Sequence, residues 1–237
     1  MKKHGICFFI LMLVPLATVA GQKRAFTIED LYRVKVVSDI QVSPDGGSVS
    51  YVLTTSDLAR AKRVSHIWVM DIDGGNPRQM TQSEKGESSP RFSPDGGTIA
   101  FVSAREGDSN LYLMPVGGGE ARRLTNISTG VSDPQWSPDG KSIAFATDVY
   151  PECGADDGCN KRTSERWQEG PLRAHLADGL LYRHWSSWKD GTRTHIFLAS
   201  VATGEVTDLT PGDFDSPGFQ LGGPQQYDFS PDGAEIV

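Results

Sequence analysis

No apolar run in these 237 residues is long enough to span a bilayer, no block of basic residues is present, and cysteine occurs three times. The most apolar stretch, Ile6 to Leu16, is broken by Pro15 and falls short of the roughly 20 residues that a spanning helix needs. With 30 acids against 23 bases and no basic run, the chain suits a phosphate backbone poorly, and nucleic acid is excluded as a partner. Helical periodicity of any length is missing after residue 20, apart from a possible turn at Ile28-Glu29-Asp30-Leu31. A Gly-x-Ser-x-Gly nucleophile elbow is absent. His66, His175, His184 and His195 stand at spacings that suit no metal and read as ordinary strand and loop residues. The chain is therefore expected to hold no catalytic residue, no metal and no cofactor.

What is present begins with an export signal. Lys2 and Lys3 form a basic start, Ile6 to Leu16 an apolar centre, and Thr18-Val19-Ala20 places small residues before a cleavage point. Removal of residues 1–20 leaves 21 bases against 30 acids, a net charge of −9, and no stable membrane span. The expected location is periplasmic or extracellular. In such an oxidising compartment Cys153 and Cys159, which frame a polar loop, are expected to form a disulfide with a structural role.

Self-similarity decides the fold. Ser-Pro-Asp-Gly starts at Ser43, Ser93, Ser137 and Ser230, at intervals of 50, 44 and 93 residues. The first two intervals match the period of about 40–50 residues of a four-stranded propeller blade. Proline presets the second position of a tight turn, Asp tolerates the next, and Gly takes the left-handed conformation that closes a hairpin. After each turn comes a β-rich segment, such as Thr98-Ile99-Ala100-Phe101-Val102. A third strand follows, such as Asn110-Leu111-Tyr112-Leu113-Met114, then a glycine turn and a short edge strand. The expected fold is all-β. It is a partial β-propeller of three complete four-stranded blades plus the start of a fourth, which begins at Gly233-Ala234-Glu235-Ile236-Val237 and leaves the ring open. Residues 1–20 are then the signal peptide, 21–39 a lead-in segment and 40–237 the incomplete propeller.

The long third interval holds an insertion at about 149–191, between the second and third strands of the third blade. Insertions of this size in a repeat fold sit on one face and often serve binding. This one carries both cysteines, the charged residues Lys161, Arg162, Glu165 and Arg166, and Trp167, Trp185 and Trp188. Those rings can pack the insertion onto its blade or meet a ligand.

Arg24-Ala25-Phe26-Thr27-Ile28-Glu29-Asp30-Leu31-Tyr32, followed by Val37 to Val42 and the first Ser-Pro-Asp-Gly, resembles the start of secreted prolyl oligopeptidase-family serine peptidases, in the dipeptidyl and acylaminoacyl peptidase branch. The insertion is similar too, in Asp148-Val149-Tyr150-Pro151, the cysteine pair, Leu181-Tyr182-Arg183-His184-Trp185 and Trp188-Lys189-Asp190-Gly191. So is Asp208-Leu209-Thr210-Pro211-Gly212-Asp213-Phe214-Asp215-Ser216-Pro217. The resemblance covers the chain after residue 20. It implies that a C-terminal α/β-hydrolase domain of the same parent, absent here, carries a Ser-Asp-His triad and hydrolyses short peptides. The propeller would then gate or orient the peptide, and this chain alone would be inactive. Carboxylates holding the substrate's free amino end are implied as well, with Glu152, Asp156 and Asp157 as candidates beside Trp185 and Trp188. The alternative is a non-enzymatic periplasmic propeller of the Tol–Pal type, which shares the repeat and the export signal. That type has a sizeable α/β domain before its propeller and lacks a forty-residue aromatic insertion.

Overall fold

The computed structural model describes residues 24–171, 174–175, 183–184, 187–218 and 226–237. The export signal and Trp185 lie outside the described residues. A short helix, α1 (Ile28–Arg33), opens the chain, capped by Thr27 and Asp30 and tied by an Arg24–Asp30 ion pair of 2.5 Å. Three four-stranded antiparallel sheets follow. The first is β1 (Val36–Val42), β2 (Ser48–Asp57), β3 (Lys62–Asp71) and β4 (Arg78–Gln79). The second is β5 (Glu87–Phe92), β6 (Thr98–Ser103), β7 (Asn110–Pro115) and β8 (Arg122–Arg123). The third begins with β9 (Ser132–Trp136) and β10 (Ser142–Val149). The insertion then contributes helix α2 (Asp157–Glu169) and a two-stranded ribbon of β11 (Arg183–His184) and β12 (Ser187–Trp188). Strands β13 (Arg193–Ser200) and β14 (Val206–Asp208) complete the third sheet. A hairpin around the fourth Ser-Pro-Asp-Gly closes through a bridge between Phe229 and Ile236. The chain is all-β in its sheets, a partial propeller, and β1 starts at Val36, within the lead-in segment.

Each Ser-Pro-Asp-Gly joins the first two strands of its blade by the same four contacts. In the first copy the Ser43 hydroxyl donates to Asp45 (2.5 Å) and accepts from the Ser48 amide (2.9 Å). The Gly47 amide donates to the same carboxylate (3.0 Å), and the Gly46 amide to the Ser43 carbonyl (2.8 Å). Such Asx-type bonding explains why this tetrapeptide recurs.

Alternation along the strands builds the cores between blades. Phe101 and Tyr112 of the second blade are cross-strand partners and pack against Val52, Ile67 and Val69 of the first. Phe145 and Phe197, the equivalent pair of the third blade, pack against Ala100, Val102, Leu111 and Leu113 of the second. Guanidinium latches cross the seams: Arg78 donates to the Val116 carbonyl and Arg122 to that of Val201. First strands of successive blades are neighbours, as expected about a propeller axis.

One expectation fails. Helical periodicity is absent from the sequence after residue 20, yet α2 runs for 13 residues. The helix buries only Asn160, so it has no apolar stripe to reveal it. Its start is fixed instead by Asp156, whose side chain accepts from the Cys159 amide at 2.9 Å, and by the disulfide beside that cap.

Candidate functional site

Antiparallel topology puts the Ser-Pro-Asp-Gly turns and the glycine turns at one end of the blades. The turns from second to third strand and the links between blades lie at the other end. The insertion replaces one of the latter turns, between Val149 and Arg193. Polar side chains concentrate at this end. Glu87, with a fully buried side chain, meets His66 Nδ1 at 3.0 Å, Arg105 at 3.1 Å and the Ser83 amide at 3.1 Å. Asn110 accepts from the Thr125 hydroxyl and the Ile127 amide, 2.8 Å each. His195, also fully buried, has Nδ1 2.8 Å from Asp208 and Nε2 3.0 Å from the Gly212 carbonyl. These three residues, His66, Asn110 and His195, occupy one register in the three blades, opposite Leu53, Ser103 and Thr147.

The insertion is held on both flanks. On the first, Cys153 and Cys159 are joined, with a Cα–Cα distance of 5.5 Å. Asp157 accepts from both the amide (2.7 Å) and the hydroxyl (2.8 Å) of Ser128, in the link between the second and third blades. Tyr150 is buried beside this loop, and its amide donates to Asn160 of α2 at 2.9 Å. Burial pushes the Tyr150 phenol above its ordinary range, opposed by a Ser164 hydrogen bond and reinforced by Asp190 and Glu152. On the second flank, Lys189 pairs with Asp215, which also accepts from the Thr194 amide at 3.0 Å. Burial raises the Asp215 carboxyl, but the Lys189 and Thr194 hydrogen bonds outweigh it and hold the group below its usual range.

The proposed contact residues separate under this geometry. Asp156 caps α2 and Asp157 holds Ser128, so both carboxylates are engaged within the fold. Glu152 is exposed. Trp188 is 38% exposed, with His175 stacked on it at 4.0 Å and Arg183 5.4 Å from its ring. His175 is in turn 2.5 Å from Asp190. Trp167, on α2, is 44% exposed. Among the described residues no group of His, Cys, Asp and Glu is arranged to hold a metal. No helix among them is long and apolar enough to cross a membrane. Three histidines paired through Nδ1 with carboxylates are what sequence reading missed, since the partners lie 13 to 21 residues away in other elements.

Residues 64–153 match the family described as the Tricorn protease N-terminal beta propeller domain. Dipeptidyl-peptidase 5 of Porphyromonas gingivalis is 31% identical over 206 residues, which are 85% of this chain and 29% of that protein. A Tol-Pal system protein, TolB of a Wolbachia strain, is 39% identical over 61 residues, 26% of this chain and 14% of that one. The acylaminoacyl peptidase of Pyrococcus horikoshii superposes with a TM-score of 0.59 at 18% identity, covering 76% of this chain and 26% of the solved one. The chain spans less than a third of the length of each of these relatives.

Proposed function

We infer, from a chain that belongs to the N-terminal β-propellers of the prolyl oligopeptidase family of peptidases, that it orients or gates short peptides for an exported serine peptidase. Hydrolysis is assigned to an α/β-hydrolase domain of the same parent protein, where an activated serine and an oxyanion site would reside. The observation that carries this reading is the kinship with a dipeptidyl-peptidase over 85% of the chain. The insertion supports it, since a disulfide, a capped helix and two flank anchors hold its ends at one end of the third blade. Glu152 is exposed and, unlike Asp156 and Asp157, makes none of the hydrogen bonds described for this loop; we assign it the substrate's free amino end, with Trp185 and Trp188 as the aromatic candidates. A Tol–Pal binding module is the less supported reading, resting on a match of 61 residues.

The test compares two preparations. The 237-residue chain alone is expected to release no chromophore from dipeptidyl or aminoacyl reporters. The protein made from its own gene in its own cells is expected to do so, and a serine-directed phosphonate should abolish that turnover. Glu152→Gln should raise KM for a free-amine dipeptide reporter and leave kcat near wild type. Phosphonate-sensitive turnover by the chain alone, or none by the native protein, overturns the assignment.

A further inference from the structure

The link that follows each fourth strand is tied to the third strand by one repeated device. In every blade a threonine of the link, Thr81, Thr125 or Thr210, accepts a third-strand amide through its hydroxyl, from Ile67, Leu111 and Ile196 in turn. The residue just before that amide is His66, Asn110 or His195. In the second blade Asn110 Nδ2 donates to the Ile127 carbonyl, two residues past the threonine, at 3.1 Å. In the third blade His195 Nε2 lies 3.0 Å from the Gly212 carbonyl, again two residues past the threonine. A carbonyl only accepts, so Nε2 of His195 carries a hydrogen, as the Asn110 amide does.

The other ring nitrogen meets an acceptor too. Nδ1 is 2.8 Å from Asp208 Oδ2, while Oδ1 of the same carboxylate accepts from the Thr210 amide at 3.0 Å. The side chains of His195 and Asp208 are 0% and 7% exposed, so solvent screens neither. A neutral imidazole offers one N–H and one lone pair. With its hydrogen on Nε2, the Nδ1 lone pair would face a carboxylate oxygen inside the protein, and one further proton removes that conflict. His66 and His175 differ, since each meets a single carboxylate through Nδ1, which a neutral ring satisfies. The other charged groups around His195 are paired. Asp213 and Asp215 of the strap after β14, residues 209–217, meet Arg193 (2.8 Å) and Lys189. On β10, Thr147 lies opposite His195, and the neighbouring Asp148 accepts from the Thr194 hydroxyl at 2.7 Å.

We propose that His195 keeps a second, buried proton between Nδ1 and Asp208, that this proton clasps the strap to β13, and that the clasp opens when the proton is lost in mild alkali. The effect reaches the insertion because the strap is its second anchor. Asp215 holds both Lys189 and the Thr194 amide, and the Ser216 amide donates to the Thr194 carbonyl at 2.7 Å. Without the proton the ring either turns its lone pair on Asp208 or abandons the Gly212 carbonyl, and each choice leaves a buried polar group unpaired. An unfolded chain gives up its histidine proton around pH 6.5, whereas the closed clasp retains it. Folding therefore takes up a proton above that value, and rising pH disfavours the clasp. The carboxylates of Asp213 and Asp215 and the cations of Arg193 and Lys189 keep their charges through this range, which leaves the His195–Asp208 pair to switch.

Nitrogen NMR of the imidazoles reads the proton directly in the 237-residue chain, without altering a residue. At about one pH unit above the ordinary histidine value of about 6.5, both ring nitrogens of His195 should still carry hydrogen. As that signal is lost at higher pH, the Thr194 and Ser216 amides should lose at least about tenfold of their hydrogen-exchange protection, corrected for intrinsic rates, while Leu111 and Phe145 keep theirs. His195→Asn installs the side chain that the second blade uses at this position, with a donor for the Gly212 carbonyl and nothing to titrate. The alkaline step in strap protection should vanish in that variant. A His195 ring with one bare nitrogen at the first pH overturns the proposal. So does strap protection that ignores loss of the proton, or an unchanged alkaline step in His195→Asn.

Discussion

Gly233 sits beneath the ring of Pro138, its φ at +72° and the position of an added Cβ 3.4 Å from the proline Cδ. The same relationship holds between Pro94 and Gly140 at 3.7 Å. Each turn thus leans on the turn of the next blade; the glycine is required by its left-handed backbone, while an added Cβ would meet the neighbouring ring only in ordinary van der Waals contact. Gly140→Ala should lower stability by about 1–2 kcal/mol, read as a shift of the urea midpoint at unchanged slope. Gly117→Ala is the control: that glycine has ordinary φ and open space around it, so its effect should be small. Equal effects of the two would remove the left-handed backbone requirement at Gly140 from the account.

Ser50 points the other way. It is fully buried in the seam between the first two blades, and its hydroxyl is the one buried side-chain polar atom without a partner among the described residues. The repeat places alanine at the same register in the next two blades, Ala100 and Ala144. Ser50→Ala should stabilise the chain by about 1 kcal/mol, since it removes an unsatisfied group and leaves almost no cavity. A destabilised variant in denaturant titration would show that the hydroxyl has a partner in solution.

Much of this fold was legible because its determinants are local and repeated. Ser-Pro-Asp-Gly reports its own hydrogen bonds, and alternation after it reports which residues face a seam. The place of the insertion followed from one interval being twice the others. Helix α2 was not legible, because periodicity detects only helices that bury an apolar stripe, and this one buries a single asparagine. Its signal was electrostatic: Asp156 as cap, Asp157 in the first turn and Arg166 in the last. The candidate site was less legible than the fold. Asp156 and Asp157 carry the charge that amine recognition requires, but what decides their use is the distance to Cys159 and Ser128, which composition does not reveal.

Detaching the first flank of the insertion should loosen it without unfolding the blades. Asp157→Ala removes the acceptor shared by the Ser128 amide and hydroxyl, a contact to a charged group of the class that contributes about 1.5–3 kcal/mol. Hydrogen exchange should quicken at Ser128 and through the first turn of α2, while Leu111 and Phe145 keep their protection. Reduction of Cys153–Cys159 in the same variant should extend the fast exchange along α2. Uniform acceleration across the β-strands would mean that Asp157 holds the whole fold and not the insertion.

The turns also set how the chain responds to acid. Asp45, Asp95, Asp139 and Asp232 all have carboxyls held below the usual range, first by the hydroxyl of their own turn serine and then by a backbone amide two residues on. Depressed carboxyl pKa values mean that the unfolded chain binds protons more readily than the folded one, so protonation favours unfolding. The contribution is complete above the unfolded carboxylate value of about 3.9 and is lost as pH falls through the lower folded values. All four groups sit in one repeated geometry, so their losses should fall in one acid window, not spread over the scale. Replacing one of them, Asp95→Asn, keeps an acceptor for the Ser93 hydroxyl and the Gly97 amide but removes the titration. The variant should be less stable than wild type at pH 7 and should lose less on acidification, so that the two stability curves converge as pH falls through the lowered folded carboxyl range. Parallel curves from pH 7 downward would show that the turn aspartates do not titrate with folding.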